Sequence, residues 1–278
     1  MAPLLMLALA GGVAQAQVTE FATANVNVTT ANTTGTISLN LSSLTTSSNN
    51  YLLVGVSIVG LSSTTPTVSS VKWGSTGLSP VCSVQESASS SNWVSMAIYE
   101  LQNPANSNSS VTITLSGSTN FQAGAVVFTN VASLGTCETA TTRGASGVSS
   151  TSVTVTAPGT GGAVFDTLAV ESIVPSSSFS MSPTAGQTAL WNLVDPSPTG
   201  AQNCQSGSST CTAGGAGSYA GNVTTMSYSF PGPSLSNTAY GAVPLSAAST
   251  SIKRKGQTIV GTLRPGGEDR PGEGNPGQ

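Results

Sequence analysis

The sequence predicts an all-β protein built as an antiparallel sandwich of two packed sheets, and three observations predict it. β-Branched and aromatic residues alternate with small polar ones at a period of two along most of the chain. No window of ten or more residues carries an apolar stripe at the 3.6-residue helical period. The alternating runs are separated by clusters of Ser, Gly, Asn and Pro, which set turns through positive φ angles or side-chain hydrogen bonds to the backbone.

Taken in order, the expected strands are 34–41 (TGTISLNL), 51–59 (YLLVGVSIV), 67–73 (TVSSVKW), 78–85 (LSPVCSVQ) and 93–101 (WVSMAIYEL). They continue with 110–116 (SVTITLS), 123–130 (AGAVVFTN), 151–157 (TSVTVTA), 162–174 (GAVFDTLAVESIV), 223–230 (VTTMSYSF) and 237–245 (NTAYGAVPL). Leu52, Val54, Val56 and Ile58 fall on one face of the second run, and Leu53, Gly55, Ser57 and Val59 on the other, so both faces are apolar or small. That pattern marks a central strand covered on both sides. Lys72 to Leu78 reads as a hairpin, with Gly74 and Gly77 freeing the backbone to reverse. The interval 175–222 is long, rich in Ser, Gly and Pro, and shows little alternation beyond QTALW at 187–191, so it is expected to be a loop.

Composition narrows the chemistry. Of 278 residues only 6% are charged and about three in ten are Ser or Thr, yet 38% are hydrophobic, enough for a core and too little charge for a charge-driven disordered chain. Histidine is absent, which removes Ser-His-Asp and Cys-His catalysis and His-ligated zinc. Through residue 250 the bases Lys72 and Arg143 face seven acids, Glu20, Glu86, Glu100, Glu138, Asp166, Glu171 and Asp195, a net charge of −5. A nucleic-acid partner is therefore not expected, because counterion displacement needs a basic stripe.

The first sixteen residues, MAPLLMLALAGGVAQA, join an apolar run to Ala-Gln-Ala, the small-x-small pattern of a signal-peptidase site. A signal peptide over 1–16 and a mature chain from Gln17 are expected, hence a secreted or cell-surface location. At about 12 apolar residues this run is too short to cross a bilayer, and no later stretch reaches ~18. From about residue 249 the composition shifts to Gly, Pro, Arg and Glu, so 17–248 is expected as the sandwich domain and 249–278 as a disordered tail. Cys82, Cys137, Cys204 and Cys211 form an even set that suits two disulfides in an exported chain, with three connectivities open. The short Cys204–Cys211 loop favours closing on itself, which leaves Cys82 for Cys137. No paired C-x2-C spacing suggests a metal, no Asp-x-Asp run suggests calcium, and no cofactor is expected.

The succession YLLVGVSIVG, VSSVKWGSTGLSPV, WVSMAIYELQNP, SSVTITLSGS, AGAVVFTNV, GAVFDTLAV, GQTALWN and YGAVPL resembles a largely uncharacterised module found in exported proteins of environmental bacteria. The resemblance spans about residues 34–248 and implies a jelly-roll-like β-sandwich. It carries over no catalytic residues.

Jelly rolls commonly present aromatic rings for stacking on sugars, with Asn, Gln, Asp and Ser to bond hydroxyls. The candidate ligand-binding residues are Trp73, Trp93, Tyr99 and Trp191, with Asn192 and Asp195 beside the last. Trp93 and Tyr99 are six apart and share a strand face, a spacing that equally suits core packing. Trp191, in a loop-like setting, is expected to be the best exposed. Glycoside hydrolysis needs only two carboxylates, but Asp166 and Glu171 differ by an odd number and fall on opposite faces of a regular strand, where solvent-facing side chains are expected. The expected function is a non-catalytic module for adhesion or extracellular assembly through a polysaccharide or surface glycan, with self-association as a further expectation. A structural subunit of a matrix or appendage is the first alternative and a carboxylate glycosidase the second.

Overall fold

The structure is a computed structural model that describes residues 16–46, 49–60, 66–87, 93–143, 149–172, 179–195, 212–230 and 235–249. Sixteen strands and no helix occur among these residues, and every strand pairing is antiparallel. The expected leader, apart from Ala16, and the tail, apart from Ser249, lie outside the described residues.

The first sheet holds β1 (Thr19–Asn40), β2 (Tyr51–Gly60), β3 (Val68–Trp73), β4 (Thr76–Gly77), β5 (Ser79–Ser87), β6 (Trp93–Gln102) and β7 (Asn108–Thr129). Its order is β4-β3-β7-β2-β6-β5, with β1 on β7. The doubly apolar β2 is fully buried and central, between β6 and β7, as its sequence requires. Two expected strands, 110–116 and 123–130, are halves of the single 22-residue β7. The first half pairs with β3 and the second with β2, while β1 follows both halves through register shifts between Val28 and Thr34. Such irregularities bend a strand and increase its twist, and here they coil the sheet into a nearly closed barrel around Ile37, Leu52, Val54, Trp73, Trp93, Ile113 and Phe121. The expected hairpin is present as β3–β4, with Gly74 at φ 57°.

The second sheet comprises β8 (Val131–Leu134), β9 (Glu138–Arg143), β11 (Ala163–Ser172), β13 (Thr188–Asp195), β14 (Thr212–Gly221) and β16 (Leu235–Ala247). Its order is β13-β14-β11-β16-β8, with β9 on β16. One of its faces packs on the first sheet through Leu53, Met96, Phe128, Phe165, Trp191 and Leu245, completing the sandwich. Its other face is covered by a small cap sheet, β10 (Ser150–Thr154), β15 (Thr225–Ser229) and β12 (Ser182–Pro183), over Leu168, Met181, Tyr228 and Tyr240. The part of 175–222 expected to be loop contains β12, β13 and β14, a correction to the sequence reading. β14, TAGGAGSYAG, lacks the bulk that marks a strand because side chains from its neighbours fill the space above it. A Cβ on Gly215 would stand 2.7 Å from both Gln122 and Ser57, and one on Gly214 2.8 Å from Met181.

Cys82 on β5 and Cys137, between β8 and β9, form a disulfide that joins the two large sheets. Cys204 and Cys211 lie outside the described residues.

Candidate functional site

The three tryptophans are core residues, each about 3% exposed. Trp73 and Trp93 fill the barrel interior. Trp191, expected in an exposed loop, sits instead on β13, where a register irregularity between Ala189 and Trp191 turns its indole inward between the sheets. Glycines make room for it: a Cβ on Gly124 would lie 2.1 Å from the ring, one on Gly217 2.2 Å and one on Gly55 2.9 Å. The indole leans on Phe165 at a centroid distance of 5.9 Å, and its Nε1 has no hydrogen-bond partner among the described residues. Asn192 faces the opposite way and donates from Nδ2 to the Met181 carbonyl. Asp195 is buried and accepts from Asn120 Nδ2 at 2.5 Å. Trp191 and Asn192 therefore do not converge on one exposed surface.

Tyr99 differs. It shares its sheet face with Trp93 as the spacing requires, but its ring is only partly buried against the barrel core, and that burial pushes its phenol upward from the ordinary tyrosine range. It lines a cleft of about 190 Å³ where the coiled sheet fails to close. Thr67 and Val68, entering β3, form one wall; Ser83, Val84 and Gln85 of β5 and Ser95, Ala97 and Tyr99 of β6 form the other. Antiparallel register places Ser83 opposite Ala97 and Gln85 opposite Ser95, so their side chains share the face that Tyr99 occupies. Thr67 is fixed from behind, its backbone N–H donating to Ser116 Oγ at 2.9 Å. The lining offers one phenol ring, three aliphatic hydroxyls and a carboxamide, with no charged side chain among the described residues. Such a surface can stack on an apolar ring face and exchange hydrogen bonds with neutral hydroxyls.

The acids of β11 depart furthest from expectation. Asp166 and Glu171 do point to opposite faces, but both are buried, at 0% and 1% exposed, instead of facing solvent. Glu171 lies in the layer between the large sheets and accepts from Asn237 Nδ2. It is in register with Ala213, which is in register with Asp195, so two carboxylates stand two strands apart, about 10 Å, across an alanine.

Asp166 lies beneath the cap sheet. It accepts from Ser218 N at 2.7 Å, Ser218 Oγ at 3.0 Å, Tyr240 Oη at 2.6 Å and Tyr228 Oη at 3.3 Å. Gln187 Nε2 adds a longer contact at 3.4 Å. Burial raises its carboxyl to about 7, outweighing the opposing effect of the donors, of which Tyr240 is largest. The one sequence signal for this cluster was an aspartate inside the apolar run AVFDTLAV; its partners lie 21 to 74 residues away.

Among the described residues no group of three or more Cys, Asp or Glu side chains is arranged to hold a metal ion, and no helix is long and apolar enough to cross a membrane. Compared with known families, curated proteins and solved structures, the chain has no match in any of the three.

Proposed function

We propose that this chain is an exported, non-catalytic β-sandwich module that acts in adhesion or extracellular assembly by holding a neutral sugar unit in the Tyr99 cleft. The observation that carries the proposal is the lining of that cleft: a tyrosine ring beside Thr67, Ser83, Gln85 and Ser95, uncharged throughout. The Cys82–Cys137 disulfide suits an oxidising compartment. Glu171 and Asp195, the pair whose spacing invites comparison with a glycosidase, are buried and held by carboxamides, which favours binding over hydrolysis.

The test is a screen of the purified full chain against neutral glycans and insoluble polysaccharides, with reducing-sugar release measured on the same samples. Tyr99→Ala is expected to weaken binding roughly tenfold or more, about 1.4 kcal/mol, while the melting transition stays cooperative. Absence of binding across the panel, or equal binding by Tyr99→Ala, overturns the proposal. Sugar release by the wild type would move the function to the enzyme class.

A structural-subunit reading rests on a different observation. β1 is 22 residues long, contains a single charged residue, Glu20, and pairs on one side only with a strand among the described residues. Long edges without charge guards pair with further strands. Concentration-dependent oligomers in size-exclusion chromatography without ligand, dispersed by Ser38→Lys, would favour this reading; a monomer at all concentrations would remove it.

A further inference from the structure

We propose that Asp166 is a proton-operated latch that holds the cap sheet on the sandwich when protonated and loosens it when ionised. This inference is independent of the Tyr99 cleft, which lies on the first sheet.

The geometry gives the carboxyl contact with every layer it would have to control. Ser218 and Tyr240 belong to the strands flanking β11 in the second sheet, whereas Tyr228 comes from β15 of the cap. Gln187 is a second tie. Its Oε1 accepts from Ser227 N of β15 at 2.8 Å and from Thr184 Oγ1 at 2.8 Å, while its Nε2 donates to Ser218 Oγ at 2.8 Å. Around these groups the cap contact is apolar, with Val153, Val164, Leu168, Met226 and Phe230 all buried. An anion there is shut off from water while the cap is seated, and although its donors partly offset the loss of hydration, burial still disfavours the charged form.

Among the described residues no cation offsets it. The titratable groups facing Asp166 are Tyr240 from β16 and Tyr228 from β15, both raised well above the usual tyrosine range by burial and then by the Asp166 charge, so both stay neutral donors. β14 presents Ser218, β10 presents Val153, and the approach to β13 presents Gln187, none of them charged. On β9, Glu138 is in register with Ala242, which is in register with Asp166, and is exposed about 10 Å away.

The direction follows from linkage. A carboxyl raised in the folded state contributes stability that is fully present below its unfolded value near 3.8 and is lost as pH rises to about 7. The loss falls first on the contact that must open to hydrate the anion, namely the cap.

The test uses the full chain. The Asp166 carboxyl is followed by carbon NMR, and amide exchange of Val153, Met226 and Tyr228, corrected for intrinsic base catalysis, is followed from about pH 5 to about pH 8.5. The expected results are a carboxyl midpoint near 7 and a loss of cap protection of tenfold or more as pH rises from about 5 to that midpoint, levelling off above it, with β11 amides unaffected. Asp166→Asn, which keeps the shape of the neutral acid, is expected to abolish the pH dependence; Tyr228→Phe, which removes a donor to the anion, is expected to raise the midpoint. A midpoint at or below about 5, or cap exchange with the same pH dependence in wild type and Asp166→Asn, overturns the proposal.

Discussion

Trp191→Ala is expected to destabilise the protein by about 3–5 kcal/mol, read as a shift of the midpoint in chemical denaturation. The indole is the largest side chain spanning the gap between the two large sheets, and what surrounds it cannot collapse into the vacated volume. Three of its neighbours, Gly55, Gly124 and Gly217, have no side chain to move inward, and each lies on a strand locked in register with two others. The reciprocal experiment is Gly217→Ala, whose Cβ would meet the indole at 2.2 Å. Alone it is expected to cost about 1–3 kcal/mol through overpacking. Combined with Trp191→Ala it should cost far less than the sum, because the methyl then enters the cavity; a coupling energy below about 0.5 kcal/mol would show that the two residues do not share one packing site. Trp191→Phe should be milder than the alanine variant, since a phenyl ring keeps most of the packed volume and the indole N–H has no hydrogen bond to lose among the described residues.

Removing the Cys82–Cys137 bridge, by substituting both cysteines with alanine, is expected to lower stability by about 4 kcal/mol. The bonded residues are 55 apart in sequence, and the chain-entropy relation gives a value of that size for a loop of that length. The bridge connects β5, the edge strand of the first sheet, to the segment entering β9, an edge strand of the second, so the reduced protein should lose protection first along those two edges. Denaturation with and without reductant, compared with the double variant, checks the magnitude. A loss below about 1 kcal/mol would mean that sheet packing alone confines these segments.

The strands that pack by alternation were legible in the sequence, and those that pack by absence of side chains were not. β2, β6 and β11 declare themselves because large apolar residues recur at a period of two, as Leu52, Val54, Val56 and Ile58 do in β2, Val94, Met96 and Ile98 in β6, and Leu168 and Val170 in β11. β14 hides because its inward positions Gly215 and Gly217 serve as sockets for Ser57, Gln122 and Trp191 of other strands; the information lies in the partners, 26 to 158 residues away in sequence. The N-terminal half of β1 was missed for a related reason, its Asn and Thr residues being those that also make turns. For the site, parity placed Tyr99 and Trp93 on one face and Asp166 and Glu171 on opposite ones, as observed. Parity could not say which face is covered twice. The cap sheet turns the outer face of β11 into an interior; β10 and β15 were legible as the alternating runs 151–157 and 223–230, but nothing local tells that they pair with each other over β11, and β12, two residues long, is too short for a periodic signal.

The sandwich begins and ends at one corner, since Ala16 N donates to the Ala248 carbonyl at 3.2 Å and Ala248 N donates to the Asn130 carbonyl at 2.8 Å. Entry and exit are thus roughly one strand spacing apart, about 5 Å. A body closed in this way can be spliced into a surface turn of a host protein without prising the host's two flanking segments apart, and its own ends can be joined by a few residues and reopened at another exposed turn. Covalent order and three-dimensional order are, at this corner, interchangeable.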